Sequence, residues 1–180
     1  MTVLRTWAPD DGVLGAVAPL ALAVAAGSAL VVDLDPDGPS YPGEGSLAQL
    51  VADGPSRADL LAPRHGVAVL RNGGVGADEA AAVVDALVDG WPRVVLRMAP
   101  TAQPSGPGVV PVVPLVPGRL LAVAGPAVCQ RGPWPVEAPP GSVVLPRPRA
   151  STIRALLEGR RPGWSRWLRA WRPVWGVSWP

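Results

Sequence analysis

The chain has 180 residues, 48% of them hydrophobic, and a formal net charge of +2. That length supports a single domain with a sizeable core, but phenylalanine is absent and Tyr41 is the lone tyrosine, so Val, Leu and Ala must fill it. All 16 basic residues are arginine, as GC-rich codon usage favours, which excludes any mechanism needing a lysine; Cys129 and His65, each the only one of its kind, exclude an intrachain disulfide and a zinc site.

In chain order, "TVLRTW" (2–7) has strand character and Pro9-Asp10-Asp11-Gly12 forms a turn. Leu14 to Ala26 is a small-residue helix with Gly27 as its C-cap, and Ala29 to Leu34 is the second strand. The uncharged run 13–32 approaches the length of a bilayer span. Pro19, the alanine content, the Gly27-Ser28 turn and the preceding acids favour helix then strand over a span or signal peptide. "SLAQLVADG" (46–54) reads as a short helix between the N-cap Ser46 and the stop Gly54. "GVAVLRNGG" (66–74) is a third strand running into a glycine turn, and Ala77 to Gly90 is a helix. Its apolar face is Ala80, Val84, Leu87, Val88 and Trp91. "RVVLRMAP" (93–100) is a fourth strand. "VVPVVPLV" (109–116) and "RLLAVAG" (119–125) follow as strands, the first confined by its prolines to an edge or an extended run. Residues 132–149 read as proline-rich connection, and a helical segment begins near Ser151. Strands alternating with helices predict an α/β fold, a mostly parallel, doubly wound sheet with flanking helices.

Charge divides the chain. Residues 1–146 carry −5 and form the α/β domain; residues 147–180 carry +7 and form a basic, Trp-rich C-terminal helical extension. Within it Trp164, Trp167, Trp171 and Trp175 fall on one stripe of a helix expected over Gly163 to Arg172, with Arg166 and Arg169 off the stripe and Pro173 ending it. Four readings suit such a stripe: packing back on the sheet, a partner-protein surface, a membrane surface, or nucleic acid, the last being the least favoured.

The order of elements over the first 100 residues resembles the ParA/MinD family of P-loop ATPases. Asp33-Leu34-Asp35-Pro36 is similar to the family's D-x-D-P after the second strand. "GVAVLRNGG" stands where the family has its l-x-v-l-p-a-G strand and turn, and "GWPRVVLRMAP" resembles the segment carrying the Walker B aspartate. The resemblance implies a P-loop NTPase-like fold with a degenerate nucleotide site. Where the family has K-G-G-x-G-K-T, this chain has "APDDGVLGAVA": Gly12 and Gly15 remain, but the phosphate-binding lysine and the magnesium-binding Ser/Thr do not. Asp10 and Asp11 would repel a triphosphate, and Arg97 occupies the Walker B position. The expectation is a pseudo-ATPase with no cofactor and no metal, cytoplasmic or peripherally membrane-bound. It would be a scaffold or regulator working through protein contacts, in division-site placement, DNA partition or surface-apparatus assembly.

The triplet "VLR" recurs at 3–5, 69–71 and 95–97. On parallel neighbouring strands, Arg5, Arg71 and Arg97 would end near Asp33 and Asp35, either as an ion-pair cluster replacing the metal site or as an arginine-lined anion pocket. The pocket would make the protein an anion- or nucleotide-binding enzyme or sensor. A tail-led membrane or nucleic-acid module is the remaining alternative.

Overall fold

The computed structural model describes residues 2–9, 11–60, 66–118, 123, 125–163 and 165–179. A parallel sheet of seven strands runs in the order β3-β2-β4-β1-β5-β6-β7. The strands are β1 (Thr2–Trp7), β2 (Ser28–Leu34), β3 (Gly66–Leu70), β4 (Arg93–Met98), β5 (Val109–Leu115), β6 (Val128–Arg131) and β7 (Val143–Leu145). With its flanking helices this is the expected doubly wound, P-loop NTPase-like α/β arrangement.

One face of the sheet is covered by α2 (Leu47–Asp53) and α3 (Ala81–Gly90), whose Leu47, Val84 and Leu87 pack with Trp91 on Leu30, Val32, Val94 and Leu96. Helix α2 keeps its expected caps: Ser46 Oγ accepts from Gln49 N at 3.2 Å, and Gly54 takes a positive φ of 80°. The other face carries α1 (Gly12–Ala26), laid over Leu4, Val31, Val95 and Val110.

Helix α1 is buried on all sides from Ala16 to Ala23, because a third layer lies over it. That layer is α4 (Ala150–Leu157), α5 (Arg166–Ala170) and the 3₁₀ turn Arg172–Gly176. The uncharged run 13–32 is thus a core helix and a central strand, and among the described residues no helix is long and apolar enough to cross a membrane.

The tryptophans build that third layer. Trp167 and Trp171 are 1% and 0% exposed and meet edge to face, with ring centroids 5.6 Å apart. Trp167 Nε1 donates to Gln130 Oε1 at 2.6 Å, and Trp175 Nε1 donates to Leu22 O of α1 at 3.0 Å. The stripe therefore packs back on the domain, which corrects the surface readings of Trp167 and Trp171: their rings are spent on the core. The exposed residues here are Arg166, Arg169 and Arg172. The helix is also shorter than expected, starting after the N-cap Ser165 and re-forming beyond Pro173 as a 3₁₀ turn. Trp164 lies outside the described residues.

The C-terminal half of the sheet departs most from expectation. The segment 119–125 lies largely outside the described residues, and the strands that follow β5 are β6 and β7, the latter inside the proline-rich stretch 132–149. β5 is internal despite its prolines. It pairs with β1 through Val109–Pro111 and with β6 through Val112–Leu115, so its two partners follow one another along it. Arg5 N donates to Gly108 O at 2.8 Å. Parallel pairing alternates sides every residue, so the nitrogens of 110 and 112 face β1 and those of 111 and 113 face β6. Pro111 faces β6 before that pairing begins, and Pro114 faces β1 after that pairing has ended. Neither proline costs the sheet a bond.

Because Trp171 is fully buried against α1, Trp171→Ala should cost about 3–5 kcal/mol. Deleting 163–180 should cost at least as much, since it strips the outer cover from α1. Thermal melts of both variants against the full chain measure this; an unchanged melting temperature in either would contradict the packing described.

Candidate functional site

The carboxyl ends of parallel strands are where open α/β sheets place ligands. Register brings Asp33 of β2 level with Arg97 of β4, and Thr6 of β1 level with Arg97. Side chains alternate between faces along a strand, so all three lie on the α1 face, with Val31, Val95 and Leu4. Arg97 is 2% exposed and Asp33 and Asp35 are 1% and 4% exposed, which makes this a buried ionic cluster.

Arg97 Nη2 donates to Asp35 Oδ2 at 2.7 Å. Its Nη1 donates to Asp33 Oδ2 at 3.2 Å and to Pro39 O at 2.8 Å. The guanidinium carbon lies 5.1 Å from the centre of the Tyr41 ring, a cation–π contact inside a dry pocket. The Tyr41 hydroxyl donates to Ala16 O at 2.7 Å, tying the cluster to α1, and burial pushes the phenol up so that it stays protonated. Gly38 closes the site: a Cβ there would collide with Arg97 Nη2 and Asp35 Oδ2. Asp33 Oδ1 accepts from Asp35 N at 3.1 Å, and Asn72 Nδ2 donates to Asp33 O at 3.1 Å. Asn72 Oδ1 in turn accepts from Gly74 N and Val75 N, so the "RNGG" turn is fastened to the end of β2.

Two carboxylates share one guanidinium here. Burial pushes Asp33 up to about 6, outweighing the opposing pull of Arg97 and of the Asp35 N–H. Asp35 holds the shorter of the two ion pairs. Only Arg97 Nε remains buried without a partner in the cluster.

The loop from β1 to α1 spans residues 8–11 and is shorter than the eight-residue P-loop pattern. Asp11 is the N-cap of α1: its Oδ1 accepts from Val13 N at 2.9 Å and Leu14 N at 3.0 Å. The backbone donors with which a helix N-terminus holds an anion are therefore taken by the chain's own carboxylate. Gly12 opens the helix, and Gly15 N donates to Asp11 O at 2.8 Å within it. Asp10 lies outside the described residues, as does His65.

The arginine triplet does not converge. Arg97 enters the cluster, but Arg5 is level with Leu96 rather than with Arg97, so it falls on the opposite face, with Val3. There its Nη1 donates to Ser105 O at 3.1 Å. Arg71 stands beyond β3 and reaches Glu44 O at 3.5 Å. The arginine-lined pocket expected from the sequence is thus corrected to one arginine clamped by two aspartates. Tyr41, Gly38, Pro39 and Asn72 are the members that sequence reasoning missed. The polar run "PDGPSY" directly after the strand was the available signal.

Removing Arg97 strands two buried carboxylates, so Arg97→Leu should cost about 3–5 kcal/mol. Arg97→Leu with Asp33→Asn should be less destabilised than the single change, and chemical denaturation of the four-member cycle measures that coupling. A carboxyl whose folded value is raised binds its proton more tightly in the native state. Asp33's contribution is therefore fully present below about 3.8 and is lost as pH rises through about 6. Melting temperature should fall between pH 4 and 7 in the wild type, and Asp33→Asn should flatten that slope.

Comparison with models of known protein families, with curated proteins and with solved structures found no match to this chain, so the geometry of the site carries its reading.

Proposed function

We propose that the chain is a ParA/MinD-like domain in which a salt-bridged cluster has replaced nucleotide and magnesium, and that it works as a cytoplasmic scaffold or regulator through protein contacts. The observation that carries this reading is Arg97, buried between Asp33 and Asp35 at the carboxyl edge of the sheet. In the family that this chain resembles, the first aspartate of D-x-D-P works beside the nucleotide and its metal, and an aspartate stands at the position of Arg97. A fixed guanidinium in that place supplies permanently the positive charge that a metal would supply in passing. Asp11, seated on the N-terminus of α1, supports the same reading from the phosphate side. The domain then keeps one conformation, without a hydrolysis cycle to switch it. The processes in view are division-site placement, DNA partition and surface-apparatus assembly; they enter through the resemblance.

Calorimetry of the purified protein with Mg-ATP tests the proposal. The expected result is no hydrolysis and no binding tighter than about 1 mM. Micromolar affinity with turnover would overturn it.

A further inference from the structure

The two edges of the sheet are finished differently. β7 is three residues long and is followed by Pro146, a blunted edge. β3, at the other edge, runs for five residues with neither proline nor charge. Gly66 N donates to Gly27 O at 3.1 Å, which assigns the even-numbered residues of β3 to the ladder with β2. The N–H and C=O groups of Val67 and Val69 therefore point outward, and among the described residues no backbone group outside the sheet pairs with them. The chain closes this edge only further along, where Leu47 N donates to Arg71 O at 2.7 Å.

Beside the open stretch lies a groove. A cavity of about 710 Å³ is walled by Val67 and Val69 of β3 and by Leu20 and Val24 of α1, with Arg160 and Arg161 among the residues lining it. Arg160 is paired with Glu158. Arg161 is exposed and, among the described residues, has no carboxylate within ion-pair distance.

We propose that β3 is the docking edge for an extended acidic segment of a partner protein. The segment adds to the sheet as a further strand, seats alternate apolar side chains in the groove and places a carboxylate on Arg161. Main-chain bonds supply affinity in such a mode, and the groove selects the side chains. Charge argues for this occupant over a second copy of the chain: two copies would oppose two arginine rims across one short ladder, whereas an acidic segment neutralises the rim. The inference rests on the contact-protein reading only for the expectation that the partner is a protein. The Mg-ATP measurement concerns the other end of the strands, so the two fail separately.

The test uses the full chain and two dye-labelled peptides of alternating valine and threonine, one carrying glutamate at both ends and the other lysine. Fluorescence anisotropy should show the glutamate peptide binding at micromolar concentration and the lysine peptide at least about tenfold more weakly. Hydrogen exchange should find the Val67 and Val69 amides unprotected in the free protein and protected in the complex. Arg161→Glu should weaken binding about tenfold or more. Val69→Pro removes an outward N–H without touching the ladder to β2, and should abolish binding while the domain stays folded. If that variant does not fold, Arg161→Glu and the exchange measurement decide. No binding of the glutamate peptide up to about 1 mM, indifference to Arg161→Glu, or amides already protected in the free protein would each overturn the proposal. Phosphatidylglycerol vesicles that displace the peptide through Arg161 would assign the groove to lipid and overturn it equally.

Discussion

Helix α1 has no side that can face water. From Ala16 to Ala23 every residue is buried, and no charged residue occurs between Val13 and Val32. An amphipathic helix needs one apolar neighbour; a helix apolar all round needs cover on both sides. The sheet provides one cover and the tryptophan layer provides the other, so the C-terminal segment is a structural necessity of the N-terminal one. Large rings suit the task, because Trp167 and Trp171 span the width of a small-residue helix and still spend indole N–H groups on fixed acceptors where these are in reach. The same logic explains why the arginines of that segment lie outside: with the rings turned inward, the charged positions form the new surface.

The ionic cluster depends on this packing. Tyr41 belongs to the apolar cluster of α1, and its ring and hydroxyl join Arg97 to the helix backbone. Burial strengthens the attraction within the cluster and raises the cost of each charge that lacks a full partner. With two carboxylates against one guanidinium the balance is uneven, and Asp33, holding the longer contact, is the member whose carboxyl is pushed up. Such an arrangement is a poor investment in stability alone. It fixes where the loop after β2 must lie, through Pro39, Gly38 and Tyr41.

The halves of the chain differ in how legible they are. Through β4 the hydrophobic periods, caps and turn glycines agree with each other, and the sequence places every element within a few residues. The meeting of Arg97 with Asp33 and Asp35 was readable too, because both strands are buried and their charged residues had to find each other. Arg5 was not readable as it stands. Its "VLR" is identical to the triplet at Arg97, yet the pairing is offset by one residue, and an offset of one moves a side chain through the sheet. Beyond residue 100 proline displaces the periodic signal, and β6 and β7 are too short to announce themselves. Tyr41 was hidden for another reason: its partners, Ala16 O and Arg97, are fixed by the fold and leave no mark near it in the sequence.

The staggered pairing of β5 has a consequence for how this sheet avoids error. A parallel sheet of valine-rich strands offers many nearly equivalent alignments, since one valine packs much like the next. Sliding β5 by one residue against β1 would turn Pro111 toward β1 and leave a ladder position without its donor. Sliding it by one against β6 would turn Pro114 toward β6 with the same loss. Residues that cost nothing in the native alignment thus penalise the adjacent ones, and the strand most at odds with sheet propensity becomes the one that locks the two halves of the sheet in phase.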